Sequence, residues 1–180
     1  TTNDDFTSGM NLILGPKTNI NDAVTYLNRS SEKGNRYSSY ILALLYEKGN
    51  LVKSDIQKSL SLYEKSGQQG NSRGINAIGL IYDLGRGVKQ DYNKAFEYYK
   101  KAADLGNSTA MRNLGLLYDL GTGVKQDYNK AIEYYQKAVD LGNSTALYNL
   151  GNLYEEGRGV KQDHNKAAEY YQKAADLNKK

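Results

Sequence analysis

Few residues of this chain do chemistry by themselves. His164 is the only histidine and there is no cysteine. A histidine triad, a multi-histidine zinc site, a thiolate metal site and a disulfide framework are therefore excluded. Gly85-Arg86-Gly87, Gly121-Thr122-Gly123 and Gly157-Arg158-Gly159 invite comparison with a dinucleotide fingerprint. That fingerprint requires a preceding strand and a third glycine three residues on. Both are missing, so these glycines are assigned to turns. Gly15-Pro16-Lys17-Thr18 is not a phosphate loop, because proline separates glycine from lysine and no upstream glycine has the required spacing. Asp83, Asp119, Glu155 and Glu156 bring carboxylates, and paired carboxylates do acid–base work. Here they recur once per period without a cleft partner, and a solvated face is expected. His164 falls in the column of Tyr92 and Tyr128 and reads as a drifted surface tyrosine. No catalytic residue, metal site or cofactor is assigned.

The elements that carry these residues follow from one repetition. Gly106–Leu141 recurs as Gly142–Leu177 without a gap, 27 of 36 positions being identical. The same step backwards gives 70–105 and a more diverged 34–69. Such a period is the signature of stacked repeats. Each unit reads as two helices. Ala110, Leu114, Leu117 and Tyr118 form one apolar helical stripe, and Ala131, Tyr134, Tyr135 and Ala138 form the second. Asn107 or Ser108 is positioned to cap the first helix and Asp127 the second. Gly121 closes the first helix in a left-handed conformation, and Gly142 closes the second. Neither helix buries its stripe alone, so neighbouring units supply the core. Gly115 sits mid-helix, where glycine costs roughly 0.5–1 kcal/mol relative to alanine. Its recurrence as Gly79 and Gly151, with Ala43 in the diverged unit, predicts close helix–helix approach. Asn107-Ser108-Thr109 and Asn143-Ser144-Thr145 match a glycosylation acceptor pattern, as does Asn28-Arg29-Ser30. The first two coincide with helix caps, which accounts for them.

With Ala110, Leu114, Gly115, Tyr118, Gly121, Gly123, Val124, Asp127, Lys130, Ala131, Tyr134, Tyr135, Lys137 and Ala138 in place, the unit resembles the Sel-one-like repeat. This family is a relative of the tetratricopeptide repeat with a longer interhelical connection, and the match spans residues 34–177. The resemblance implies an all-α fold, a right-handed α-solenoid superhelix of antiparallel helix pairs. It also implies a non-enzymatic adaptor that binds a protein or peptide partner on its inner surface. Some secreted members staple each unit with a disulfide, and the cysteine-free chain departs from them. The expected organisation is a single solenoid domain over 1–180. A degenerate N-terminal repeat or cap occupies 1–33, followed by repeats at 34–69, 70–105, 106–141 and 142–177. Shifted by 36, Phe6 falls in the column of Leu42 and Met10 in that of Tyr46, so a first helix is expected within 3–14 and a second over 19–33. In 34–69, Leu51 replaces a loop glycine and Ser59 a helix alanine. Gly67 and Gly70 mark the expected soft joint.

By analogy with tetratricopeptide repeats, the first helices line the concave side. Their inward, non-core positions include Lys48, Asp83, Thr109, Asp119 and Glu155. The partner-binding set is Tyr37, Tyr40, Leu44, Arg73, Asn76, Leu80, Arg112, Leu116, Tyr148 and Asn152. Tyrosine and arginine beside an apolar strip is a composition enriched in binding hot spots. The alternatives are a hydrolase or transferase at the inner groove, against which the missing nucleophile–base pair argues, and carbohydrate binding through the tyrosines. Net charge is +4, but the signs interleave through every unit, so no specific nucleic-acid partner is expected. No apolar run approaches the ~20 residues of a membrane span. The chain is read as soluble, with the cytoplasm favoured and a secreted form left open.

Overall fold

The computed structural model describes residues 1–16 and 19–179; Lys17 and Thr18 of the Gly15–Thr18 segment lie outside the described residues, as does Lys180. Among the described residues there are ten α-helices and no strand. They fall into two compact units, Thr1–Gln90 and Asp91–Lys180. The first holds α1 (Thr2–Leu14), α2 (Ile20–Glu32), α3 (Arg36–Lys48), α4 (Ile56–Gln68) and α5 (Ser72–Leu84). The second holds α6 (Tyr92–Asp104), α7 (Ser108–Leu120), α8 (Tyr128–Asp140), α9 (Ser144–Glu156) and α10 (His164–Leu177).

Each helix starts where a short polar side chain replaces a missing intrahelical acceptor. Asn35, Asn71, Asn107 and Asn143 cap α3, α5, α7 and α9. Asparagine, not the serine after it, therefore makes the cap. Asp55, Asp127 and Asp163 each accept from the backbone N–H three residues on, at the starts of α4, α8 and α10. Helices α3, α5, α7 and α9 end on glycines in the left-handed region, with φ 69° at Gly121 and 67° at Gly157. The α8 cap is Leu141, and Gly142 follows at φ 81°.

In the second unit, α7 packs on α6 and α8, and α9 on α8 and α10. A Cβ on Gly115 would come within 2.5 Å of the Tyr135 ring and 3.2 Å of the Ala131 carbonyl. One on Gly151 would come within 2.5 Å of the Tyr171 ring. Glycine is kept mid-helix because a tyrosine of the paired helix lies against its backbone. Behind that contact Ala131, Tyr135, Ala138, Ala146, Leu150 and Leu153 form a continuous buried cluster.

In the first unit, α1 pairs with α2 and α3 with α4, and Phe6 and Ile13 pack against buried Leu27, Leu42 and Leu45. The register of α1 differs from a shift of 36. Thr2 and Ile20 begin their helices two residues closer together than Arg36 and Ile56 do. Gly9 thereby takes the close-approach place, with an added Cβ 2.8 Å from Leu27 Cγ. The end of α4 is tied back to α2 and α3. Ser31 and Ser39 hydroxyls meet at 2.7 Å, Ser39 donates to Gln69 at 2.8 Å, and Gln69 donates to the Ser31 carbonyl at 3.1 Å. Ser66 donates to the Arg36 carbonyl at 2.6 Å, and Gly67 is small because Ile75 packs onto it.

Asp5 is buried on α1, 2.6 Å from Lys33 Nζ and 3.5 Å from Arg29 Nη1 at the end of α2. The Lys33 hydrogen bond holds its carboxyl below the usual carboxylate value, against the opposing effect of burial. A lowered folded-state value contributes stability above the ordinary carboxylate range and loses it as pH falls through the folded value. Protection factors of α1 amides are expected to fall when pH is lowered from ~7 to ~2.5. In Asp5→Asn they should already be low at neutral pH and lose most of that dependence.

Candidate functional site

The ten expected partner-binding side chains fall into two sets. Tyr37, Tyr40 and Leu44 lie on α3 and Arg73, Asn76 and Leu80 on α5, all in the first unit. Arg112 and Leu116 lie on α7, and Tyr148 and Asn152 on α9, in the second. None of the ten is buried. Tyr37 is 48% and Tyr148 54% exposed, unusual for side chains with so much apolar surface.

Several of these residues also serve the scaffold. The Tyr40 ring packs 5.6 Å from that of Tyr63, and Tyr148 5.0 Å from Tyr171, centroid to centroid. Arg112 Nη2 donates to Asn113 Oδ1 at 2.6 Å, and Asn152 Oδ1 accepts from the Tyr171 hydroxyl at 2.8 Å. Burial raises the Tyr40 phenol, and the field of Arg73 opposes that rise. Tyr40 in the first unit and Tyr148 in the second are thus each an amphipathic ring held by a second ring, which presents rigid contact area at little entropic cost.

The carboxylate expectation fails at Asp119. It is 4% exposed, accepts from the Tyr135 hydroxyl at 3.3 Å and is ion-paired with Arg158 Nη1 from the loop after α9. Arg158 Nε also lies 2.8 Å from Glu156 Oε2, without the alignment of a hydrogen bond. The first unit repeats the device, with Tyr63 donating to Glu47 at 2.6 Å and Arg86 reaching it at 3.2 Å. Burial, before any other cause, pushes the Tyr63 and Tyr135 phenols well above their usual value, so both hydroxyls remain donors. The loop arginines between paired glycines therefore clamp one helix pair to the one before. Glu155 stays open to solvent beside exposed His164, 3.0 Å away. Among the described residues no group of three or more His, Cys, Asp or Glu could hold a metal.

Sequence reasoning missed Arg36. It opens α3 one residue before Tyr37, where Ser72, Ser108 and Ser144 stand in the other units. That single departure in an otherwise serine column was the available signal. Arg36 Nη1 donates to the Gly70 carbonyl at 3.2 Å and Nη2 to the Tyr37 hydroxyl at 3.3 Å.

Helix pairs of this kind, with a polar–aromatic face on the first helix and clamped loops, define an all-helical repeat protein. Residues 12–35, 37–71, 72–107, 108–143 and 144–179 match the Sel1 repeat, and the chain belongs to that family. The fold agrees with solved relatives. A Sel1 repeat protein from Oxalobacter formigenes is 32% identical with a TM-score of 0.89, over 98% of this chain and 73% of that one. The protective antigen c5321 of uropathogenic Escherichia coli strains, which displays an SLR fold, is 28% identical with a TM-score of 0.86. The alignment covers 97% of this chain but only 38% of that one. Immunity protein Pa5087 of Pseudomonas aeruginosa is 28% identical with a TM-score of 0.65, over 98% of this chain and 66% of that one. No curated protein matches the sequence significantly. Sel1 repeats are generally protein-interaction scaffolds and typically non-catalytic. Among the described residues no helix is long and apolar enough to cross a membrane.

Proposed function

We propose that this chain is a non-enzymatic adaptor that binds a peptide or the edge of a folded protein on the inner face of its first helices. The observation that carries the reading is the solvent-open aromatic surface at Tyr37 on α3 and Tyr148 on α9, with half-buried Tyr40 and Leu44 on α3, Leu80 on α5 and Leu116 on α7. Rings backed by Tyr63 and Tyr171 are already ordered, so binding costs them little further entropy. Repeats at 34–69, 70–105, 106–141 and 142–177, preceded by a degenerate repeat or cap over 1–33, are the units of this scaffold. The enzyme and carbohydrate alternatives gain no specific support from the geometry.

Peptides selected from a displayed random library against the whole chain test this reading. Alanine at Tyr37, Tyr40, Arg112 and Tyr148 is expected to weaken the selected peptides by about 30-fold or more, the size of a hot-spot loss of ~2 kcal/mol. Circular dichroism should stay helical. Alanine at Lys101 and Lys137 on the second helices should change affinity by less than about threefold. If the lysine pair abolishes binding while the tyrosine and arginine variant retains it, the binding face lies on the second helices and the proposal fails.

A further inference from the structure

The face on α3 and α5 ends in a hollow of about 280 Å³ lined by Arg36, Tyr37, Gly70, Asn71, Ser72 and Arg73. Its two guanidiniums lie close together without a carboxylate, whereas Arg112, the other arginine outside an ion pair, stands on α7 and donates to Asn113. Arg29, Arg86 and Arg158 are each ion-paired with a carboxylate. Among the described residues neither Arg36 nor Arg73 has such a partner. Arg36 is nonetheless held in place, by a backbone carbonyl, by a phenol and by the Tyr37 ring, whose centroid lies 5.1 Å from its Cζ. All three are neutral, so the guanidinium is oriented but its charge is not neutralised. The framework does not require either arginine. Ser72, Ser108 and Ser144 fill the column of Arg36, while Thr109 and Thr145 follow Arg73 in its own column. Two uncompensated cations, one of them pre-positioned, beside exposed aromatic area are a receptor for carboxylate, which guanidinium binds through paired N–H donors.

We propose that the hollow at Arg36 and Arg73 receives carboxylate side chains of an acidic peptide segment whose neighbouring apolar residue rests on Tyr37 and Tyr40. The assignment rests on the adaptor reading above and names the chemistry of its partner. A hollow of this size takes a side chain rather than a helix, so the acidic residue is an anchor and the tyrosine face carries the rest. Charge at this end also speeds encounter and makes binding sensitive to salt.

The test compares fluorescein-labelled Glu-Glu-Tyr-Glu-Glu-Leu with Gln-Gln-Tyr-Gln-Gln-Leu, both amidated, by anisotropy on the whole chain. The glutamate peptide is expected to bind at least about tenfold more tightly, the gain of one or two charge-assisted contacts. Arg36→Gln with Arg73→Gln should erase that preference, whereas Lys101→Gln with Lys137→Gln, an equal change in net charge, should preserve it. Should the double arginine variant melt earlier than the parent, Arg73→Gln alone, at an exposed position, should still reduce the preference several-fold. Equal binding of the two peptides, failure of the glutamate peptide to bind, or a preference that survives loss of both arginines overturns the proposal. So does displacement of the glutamate peptide by inorganic phosphate more readily than by acetate at matched ionic strength, since the hollow would then read phosphoryl groups. Library peptides that bind the tyrosine face without acidic bias would sink this assignment alone. Failure of the library selection on that face would remove the adaptor reading itself.

Discussion

Asp119→Ala is expected to lower the stability of the chain by about 3 kcal/mol, and Tm by about 6–12 °C. The size follows from what is left behind. Removing one member of a buried ion pair typically costs about 3–5 kcal/mol, because the other charge stays where water cannot reach it. The Arg158 side chain retains 27% exposure and a contact with Glu156, which places the effect at the lower end. The Tyr135 hydroxyl loses its carboxylate acceptor as well. Replacing both charges, with Asp119→Leu and Arg158→Met, should restore much of the loss, since apolar pairs of similar volume often substitute for buried ion pairs. A melting midpoint for Asp119→Ala equal to that of the parent would show that the carboxylate is solvated after all.

Leu114→Ala is expected to cost about 2–5 kcal/mol by loss of transfer free energy and creation of a cavity. Leu114 has no exposed surface and lies on α7, which packs on both α6 and α8. Its neighbour Gly115 already holds the Tyr135 ring against the helix backbone, so the site has little room to collapse. Leu114→Met conserves most of the volume and should cost less than about 1.5 kcal/mol. Leu116→Ala, half-buried two residues away, provides the contrast and should cost clearly less than Leu114→Ala. Because repeat stability is a sum of unit and interface contributions, faster amide exchange in α6 and α8 should accompany the Leu114 cavity. Similar losses at Leu114 and Leu116 would contradict the assignment of one to the core and the other to the binding face.

Much of this protein is written in short-range pattern. The step of 36 residues, the caps at Asn107 and Asp127, the left-handed Gly121 and the buried columns of Leu114 and Tyr135 all follow from local propensity and internal repetition. A cap joins residues three apart and an apolar stripe residues three or four apart, so periodicity alone specifies them. It is also why the close approach at Gly115 was legible: a helix-weakening residue kept in successive units needs a packing reason.

Only the tertiary structure decided which polar residues leave water. Asp119 looked like a surface carboxylate because its partner Arg158 stands 39 residues away, in a loop of the following helix pair. No column comparison joins two different columns. The register of α1 was set by the fit of Gly9 against Leu27, for which a shorter loop allowed the helix to slide two residues from the ideal shift. The serine and Gln69 network that ties α2 and α3 to the end of α4 was hidden in the same way, because partners such as Ser39 and Gln69 lie 30 residues apart. Sequence repetition records what each unit must share with its neighbours. The desolvation of a charge, and the pairing that compensates it, depends on distances between units that repetition does not encode.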